Sequence, residues 1–226
     1  MSRVSQYAYR HPAIRGLARV RYGPRAEIRG AILSARIAWY RLLSTQRSVF
    51  ADAAIRSPVL AIGEGAIHAA GATLGYWPSP AAFDSCIYLE ARHHSSLIEI
   101  GHGSVVNNGT VMISEGPGIV IGASVLVGPG VTFFDSDFHA LDTEERLAGG
   151  EPQVAQVRVG DGAFIGANAI VLKGVAIGEG AVVGAGSRKV ERAGAISGER
   201  ESGQCGACSL NRLRSLFGAL PQRDWA

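Results

Sequence analysis

Lysine, cysteine and aromatic side chains are all scarce in this chain of 226 residues. The only lysines are Lys173 and Lys189, there are three cysteines, and aromatics make up 7%. Cys86, Cys205 and Cys208 are too few to form a disulfide framework in a chain this long. The C-G-A-C spacing of Cys205 and Cys208 fits a redox pair or half of a zinc site, but no second ligand pair lies nearby. Long apolar runs are also missing. The best candidate for a membrane span is cut by Arg29, Arg36 and Arg41, so a transmembrane protein is not expected. Met1 to Arg25 carry charge without an apolar stretch, which argues against a secretory signal and for a cytoplasmic protein. What the chain does have is 47% hydrophobic residues, mostly aliphatic, and 30 glycines. That content excludes disorder, and glycine without Pro-rich triplets excludes collagen. The length suits one domain, or one domain with an appendage.

Charge is unevenly placed. Residues 1–56 hold eleven arginines against Glu27 and Asp52, a balance of +9; since the whole chain sums to +3, residues 57–226 sum to −6. Within the basic segment 1–56, R-G-A-I-L-S-A-R-I-A-W-Y-R-L-L (29–43) sets Ile32, Ala35, Ile37, Trp39, Leu42 and Leu43 among arginines, as a basic amphipathic helix does. Such a helix can lie on the main domain or on a neighbouring subunit, or it can make peripheral contact with anionic lipid at the inner face of a membrane. Nucleic acid is not an expected partner, because no recognition motif or aromatic interleaving accompanies the arginines.

A repeat settles the fold class. From Val159 the chain reads V-G-D-G-A-F, I-G-A-N-A-I, V-L-K-G-V-A, I-G-E-G-A-V, V-G-A-G-S-R. An aliphatic residue opens each hexapeptide (Val159, Ile165, Val171, Ile177, Val183), glycine follows in four of them, and a small or β-branched residue stands fifth. The frame recurs at Ile100, Val106, Ile121 and Val127, and in fragments from Ile62 to Thr73. A period of six suits neither a helix nor a hairpin sheet. It suits a coil of short strands with a corner after each, three strands closing a triangular turn whose interior is too narrow for many rings.

Two interruptions break the frame, a short one near Ser114 to Gly118 and a long one between Phe133 and Val159. A regular coil that carries a loop of this length usually does so for function. The long excursion opens F-F-D-S-D-F-H-A-L-D, with His139 among Asp135, Asp137 and Asp142. Imidazole is suited to take a hydroxyl proton near neutral pH, and a carboxylate beside it can fix its tautomer. A histidine on a surface loop can equally be inert.

On these residues the chain resembles the hexapeptide-repeat acyltransferases, strongly from Ile98 to Ser187 and more weakly from Leu60. The segment I-G-A-S-V-L-V-G-P-G-V-T (121–132), followed by D-S-D-F-H, looks like the sugar O-acetyltransferase branch, which includes the galactoside, maltose and polysaccharide acetyltransferases. The resemblance implies a mainly β fold, a left-handed parallel β-helix over 57–190 with a protruding loop at 133–158, between the basic segment 1–56 and an atypical tail at 191–226. It also implies a homotrimer with active sites between subunits, and acetyl-CoA as cosubstrate with no tightly bound cofactor and no metal.

His139 would be the catalytic base in transfer to a sugar hydroxyl in polysaccharide, O-antigen or capsule assembly. Asn107, Glu115 and Asp137 would bind the acceptor, with Asn108 as rival to Asn107 unless it fills a left-handed corner. Gly166, Ala167, Gly184 and Ala185 would meet the pantetheine, and Arg188 and Lys189 the phosphates. Phe164 stands where many relatives have tryptophan. Lys173 is either near the cosubstrate or a solvated corner residue, and Cys86 is structural. The alternatives are an amino-sugar N-acetyltransferase, a metal enzyme like the γ-type carbonic anhydrases through His93, His94 and His102, or a non-catalytic scaffold.

The likeness breaks near residue 199, where relatives continue through Asn-Pro-Ala. Glu201 to Cys208 can be encoded as GAA TCC GGC CAG TGT GGT GCG TGT, and reading one base later gives Asn-Pro-Ala-Ser-Val-Val-Arg. The working hypothesis is a shifted frame from about Glu199, which would make C-G-A-C accidental. A gene sequence whose codons cannot yield that string would end it.

Overall fold

The computed structural model describes residues 24–189. Met1 to Arg25, for most of its length, and the tail with Cys205, Cys208 and the proposed frame change lie outside the described residues. Among the described residues two helices lead into the coil, α1 (Pro24–Leu43) and α2 (Val49–Asp52). Seventeen short strands follow, β1 (Ala54–Ile55) to β17 (Arg188–Lys189), interrupted by the short helix α3 (Thr143–Leu147).

Every third strand pairs in parallel, which sorts the strands into three sheets. The first runs β1-β4-β7-β10-β13-β16, the second β2-β5-β8-β11-β14-β17, and the third β3-β6-β9-β12-β15. The result is a three-sided parallel β-helix, the coil that the hexapeptide period implied and that the family resemblance makes left-handed. Where the repeat is unbroken, Phe164 pairs with Val182, and Arg158 with Ala176, one turn of three hexapeptides later.

Register puts like on like. Leu74, Val106, Val127, Ile165 and Val183 stack inside the first sheet. Ala61, Leu89, Met112, Phe133 and Val171 stack inside the second. Ile100, Ile121, Val159 and Ile177 stack inside the third. All are buried, and they form one aliphatic core in which, among the described residues, Phe133 is the only fully buried ring, with half-buried Phe50 packed against the core. Burial at about 25 cal/mol per Å² of apolar surface is the main force holding the turns together. Val49 of α2 joins the same core near its N-terminal end.

The chain turns at three corners, and the backbone there approaches the next turn closely. A Cβ on Gly166 would lie 2.5 Å from the amide nitrogen of Ala185, and one on Gly128 2.7 Å from that of Ala167. Asn168 supplies the left-handed backbone (φ 56°) that glycine supplies in other corners. Asn108, considered for that role from sequence, is followed by the residue that adopts it, Gly109 (φ 70°).

The structure adds an excursion that the repeat frame did not signal. Residues 75–86 leave the corner between the first and second sheets, with a cis peptide at Trp77-Pro78. Asn108 pins this segment. Its Oδ1 accepts from Ser57 Oγ (2.6 Å) and the Tyr76 amide (3.2 Å), and its Nδ2 donates to the carbonyls of Tyr76 (2.9 Å) and Pro80 (3.0 Å).

Helix α1 follows its expected amphipathic pattern in an unexpected way. Arg36 faces inward, donating to the carbonyls of Ala82 and Ser85, and Leu33, Ile37 and Tyr40 are half-buried beside it. Ile28, Ile32, Trp39 and Leu42 lie on the opposite side and are exposed. Among the described residues no helix is long and apolar enough to cross a membrane.

Candidate active site

Two corners of the coil collect the residues singled out by sequence. The corner between the second and third sheets carries Glu115, Asp137, His139 and Lys173. The corner between the first and second sheets carries Asn107, Asn108, Gly166, Ala167, Gly184 and Ala185. Within one chain these are separate edges of a three-sided coil. Asn107 therefore shares an edge with the residues expected to meet the cosubstrate, not with His139.

The long excursion is held at its base. Ala155 donates its amide to the Asp135 carbonyl (2.9 Å), Asp137 to the Gln153 carbonyl (3.0 Å), and Ser136 bridges Val154. At the far end Asp142 caps α3, accepting from the amides of Glu144 (2.8 Å) and Glu145 (3.0 Å). Those amide bonds lower the Asp142 pKa. His139 sits between these anchors, exposed.

The three aspartates near His139 in sequence do not orient it. Asp135 is fully buried, and its carboxylate accepts from Ser114 Oγ (2.7 Å) and from the amides of Glu115 (2.8 Å), Gly116 (3.2 Å) and Gly118 (2.9 Å). It ties the short excursion at 115–118 to the long one. Asp137 turns to Lys173: its buried Oδ2 lies 3.4 Å from Nζ, without hydrogen-bond geometry. Lys173, whose side chain also reaches Gln153 Oε1 (3.4 Å), is thus a loop anchor of the next turn and not a solvated corner residue. Asp142 serves α3. No hydrogen bond to the His139 imidazole is formed among the described residues.

A network that sequence reading missed joins three turns of the coil here. Tyr88, Glu90 and Arg92 alternate with buried Leu89 and Ala91 along and just past β5 (Ile87–Ala91), so all three point outward. Tyr88 OH donates to Glu90 Oε2 (2.8 Å), and Arg92 donates from Nε to Glu90 Oε1 (2.8 Å) and from Nη1 to Glu115 Oε1 (3.0 Å). Ser136 Oγ donates to Glu115 Oε2 (2.6 Å) and accepts from the Phe138 amide (2.9 Å). His93 Nε2 stands 3.9 Å from Glu115. The period-two alternation Tyr-Leu-Glu-Ala-Arg was the available signal.

The network sets the charge states. Burial alone would raise the Glu115 pKa, but hydrogen bonds from Ser136 and Arg92 outweigh it and the net shift is downward. Glu90 shifts the same way, burial being overcome by Arg92 and Tyr88. Burial and the bond to Glu90 push Tyr88 up to about 12. A carboxylate with a lowered folded pKa stabilises the fold above its unfolded value and loses that contribution as pH falls through the folded one. Amide protection around Ser136 and Phe138 should therefore hold at neutral pH and decline only below the ordinary glutamate value of 4.5. Hydrogen exchange against pH measures this, and a decline centred above pH 5 contradicts it.

Asn108, with both lone pairs and both amide hydrogens engaged, has nothing left for an acceptor. Asn107 is half-buried, its Oδ1 accepting the Asn108 amide (2.8 Å). Arg188 is exposed on β17, in register with Ile170, and Lys189 is in register with Val171. Burial raises the pKa of Cys86, which keeps the thiol protonated and a weak nucleophile. His93, His94 and His102 do not converge; among the described residues no three metal-ligating side chains do. A shallow concavity of about 500 Å³ lies on the third sheet around Val120, Arg158, Asp161 and Glu179, and contains none of the designated residues.

Residues 156–187 match the family profile described as the hexapeptide repeat of succinyl-transferase. The coil is a hexapeptide-repeat coil. Solved structures similar to it include a hexapeptide-repeat containing acetyltransferase from Vibrio cholerae, at 24% identity over 69% of this chain and 68% of that one (TM-score 0.41). The same enzyme from Vibrio cholerae O1 biovar eltor, complexed with acetyl coenzyme A, matches at 23% over 75% and 81% (TM-score 0.41). The polySia specific acetyltransferase NeuO matches at 18% over 60% and 57% (TM-score 0.39). Among curated protein sequences no match is found.

Proposed function

We propose that this hexapeptide-repeat chain is an acetyl-CoA-dependent O-acetyltransferase acting on a sugar hydroxyl in polysaccharide assembly, with His139 as general base. The observation that carries the reading is the presentation of His139, an exposed imidazole on an excursion whose two ends are tied together at its base on the coil. In the proposed reaction the imidazole takes the acceptor hydroxyl proton, and the oxygen attacks the thioester carbonyl. Backbone amides stabilise the oxyanion. Collapse of the adduct breaks the carbon–sulfur bond, and the imidazolium returns its proton to the departing thiolate.

The cosubstrate would lie along the edge formed by Gly128, Gly166 and Gly184, beside half-buried Ala167 and exposed Ala185, with exposed Arg188 following on β17 for phosphate. A thiol-release assay with acetyl-CoA across sugars, nucleotide sugars and amino sugars tests the reading. Acceptor-dependent thiol release is expected with hydroxyl acceptors. Release only with amino sugars would make it an N-acetyltransferase, and no acetyl-CoA binding by calorimetry would end the proposal.

Because His139 and the cosubstrate edge lie on different corners, a complete site needs a second copy, and a cyclic homotrimer supplies it. Leu126 (48% exposed), Phe164 (45%) and Val182 (65%) form an apolar column on the outer face of the first sheet, which favours such packing. Phe164→Arg should shift sedimentation from three copies to one with the circular dichroism unchanged. A monomeric parent protein would refute the trimer.

The outward side of α1, with Ile28, Ile32, Trp39 and Leu42 exposed and Arg41 nearby, is the part of the chain suited to an anionic membrane surface. Co-sedimentation with vesicles containing anionic lipid should exceed that with neutral vesicles, and Trp39→Ser should reduce it. Equal partition to both vesicle types would count against membrane contact.

A further inference from the structure

We infer that Arg92 is a positioning residue for His139, fixing the loop conformation from which the imidazole is presented. The inference rests on the reading of His139 as base. Arg92 lies just past β5, two turns of the coil before the long excursion, yet its guanidinium reaches that loop in two ways. Through Nη1 it holds Glu115, whose other oxygen holds Ser136, and Ser136 accepts the Phe138 amide. Through its face it covers the Phe138 ring, with Cζ 5.2 Å from the centroid.

Phe138 needs this support. Its φ of 63° lies in the left-handed region, which bulky side chains rarely adopt. The ring is clasped between Phe134, edge-on at 5.0 Å, and Arg92. A left-handed residue immediately before His139 determines the direction in which His139 leaves the loop. The three sequence-adjacent aspartates are occupied elsewhere, so the conformation at this point depends on the Arg92 network.

The geometry of Arg92 is specific to a guanidinium. Glu90 takes Nε and Glu115 takes Nη1, while the planar face remains free for the ring. An ammonium offers a point charge without that fork or face. Glu90 in turn is braced by Tyr88. The outward ladder of β5 is thereby coupled to the catalytic excursion through one side chain.

The test compares the full chain with Arg92→Met, Arg92→Lys and Phe138→Leu. Arg92→Met should lower kcat by about 10²-fold, the scale of a misplacement near 1 Å, while leaving the KM for acetyl-CoA within about twofold. Arg92→Lys should recover only part of the rate. Added to His139→Ala, Arg92→Met should cost nothing further, because a positioning residue acts through the group it positions. Independently of activity, Arg92→Met should accelerate amide exchange at Phe138 and His139 and leave Val127 and Ile165 protected. If Arg92→Met fails to fold, Phe138→Leu removes the ring contact with the ion pairs intact and should show the same kcat-only loss. Unchanged loop exchange, a kcat within twofold of the parent protein, or additive losses would overturn the inference. Loss of activity in His139→Ala without loss in Arg92→Met refutes the positioning role alone, whereas an active His139→Ala refutes the base.

Discussion

Replacing His139 by alanine should reduce acetyl transfer by about 10²- to 10⁴-fold, the range attributed to a positioned acid–base group. Binding of acetyl-CoA should be nearly unaffected, because in the proposed site the cosubstrate is held by the edge of Gly166, Ala167, Gly184 and Ala185 and the imidazole meets only the reacting atoms. The fold should also survive. His139 is exposed and makes no hydrogen bond among the described residues, so its removal leaves no orphaned partner. The measurement is steady-state thiol release beside calorimetric binding and thermal unfolding. A variant retaining more than about a tenth of the rate would move the base elsewhere.

Asp135→Ala should have the opposite profile, with a large loss of stability. The carboxylate is fully buried and accepts from one hydroxyl and three backbone amides of the short excursion. Removing it leaves those donors unsatisfied in a low-dielectric setting, a loss of about 3–5 kcal/mol. For a domain of this size that corresponds to a Tm lower by roughly 10 °C. Asp135→Asn retains the shape and one acceptor oxygen and should fall between the two. Denaturant unfolding reads the effect, and a change below about 1 kcal/mol would show that the buried donors find other partners.

The two variants mark how far sequence reading reaches. The inward columns from Ile100 to Val183 were legible because a six-residue period admits few interpretations and each inward position needs only an aliphatic side chain. Residues 54–91 were less legible: β2 and β5 run five residues each and the excursion at 75–86 separates their turns, so the frame survives only in pieces. Around His139 the break in the repeat located the loop, but not the task of each carboxylate. Asp135, Asp137 and Asp142 look alike as neighbours of a histidine. Their partners are Ser114 to Gly118, Lys173 and the start of α3, and two of these three sets belong to other turns of the coil. Stacking decides such contacts, and local spacing does not encode them. The same holds for Arg92, which meets Phe138 only because the turns are superimposed.

The bond between the Ala155 amide and the Asp135 carbonyl brings the two ends of the long excursion together at its root. Above that root the strands resume in register, Val127 on Ile165 and Phe133 on Val171, as if nothing had been inserted. Loop length is thus decoupled from coil registration. For a flexible insertion each doubling of length adds only about 0.6 kcal/mol of closure entropy. The architecture behaves as a socket: segments of different length and chemistry can be grafted onto one corner while the aliphatic column beneath them stays unchanged.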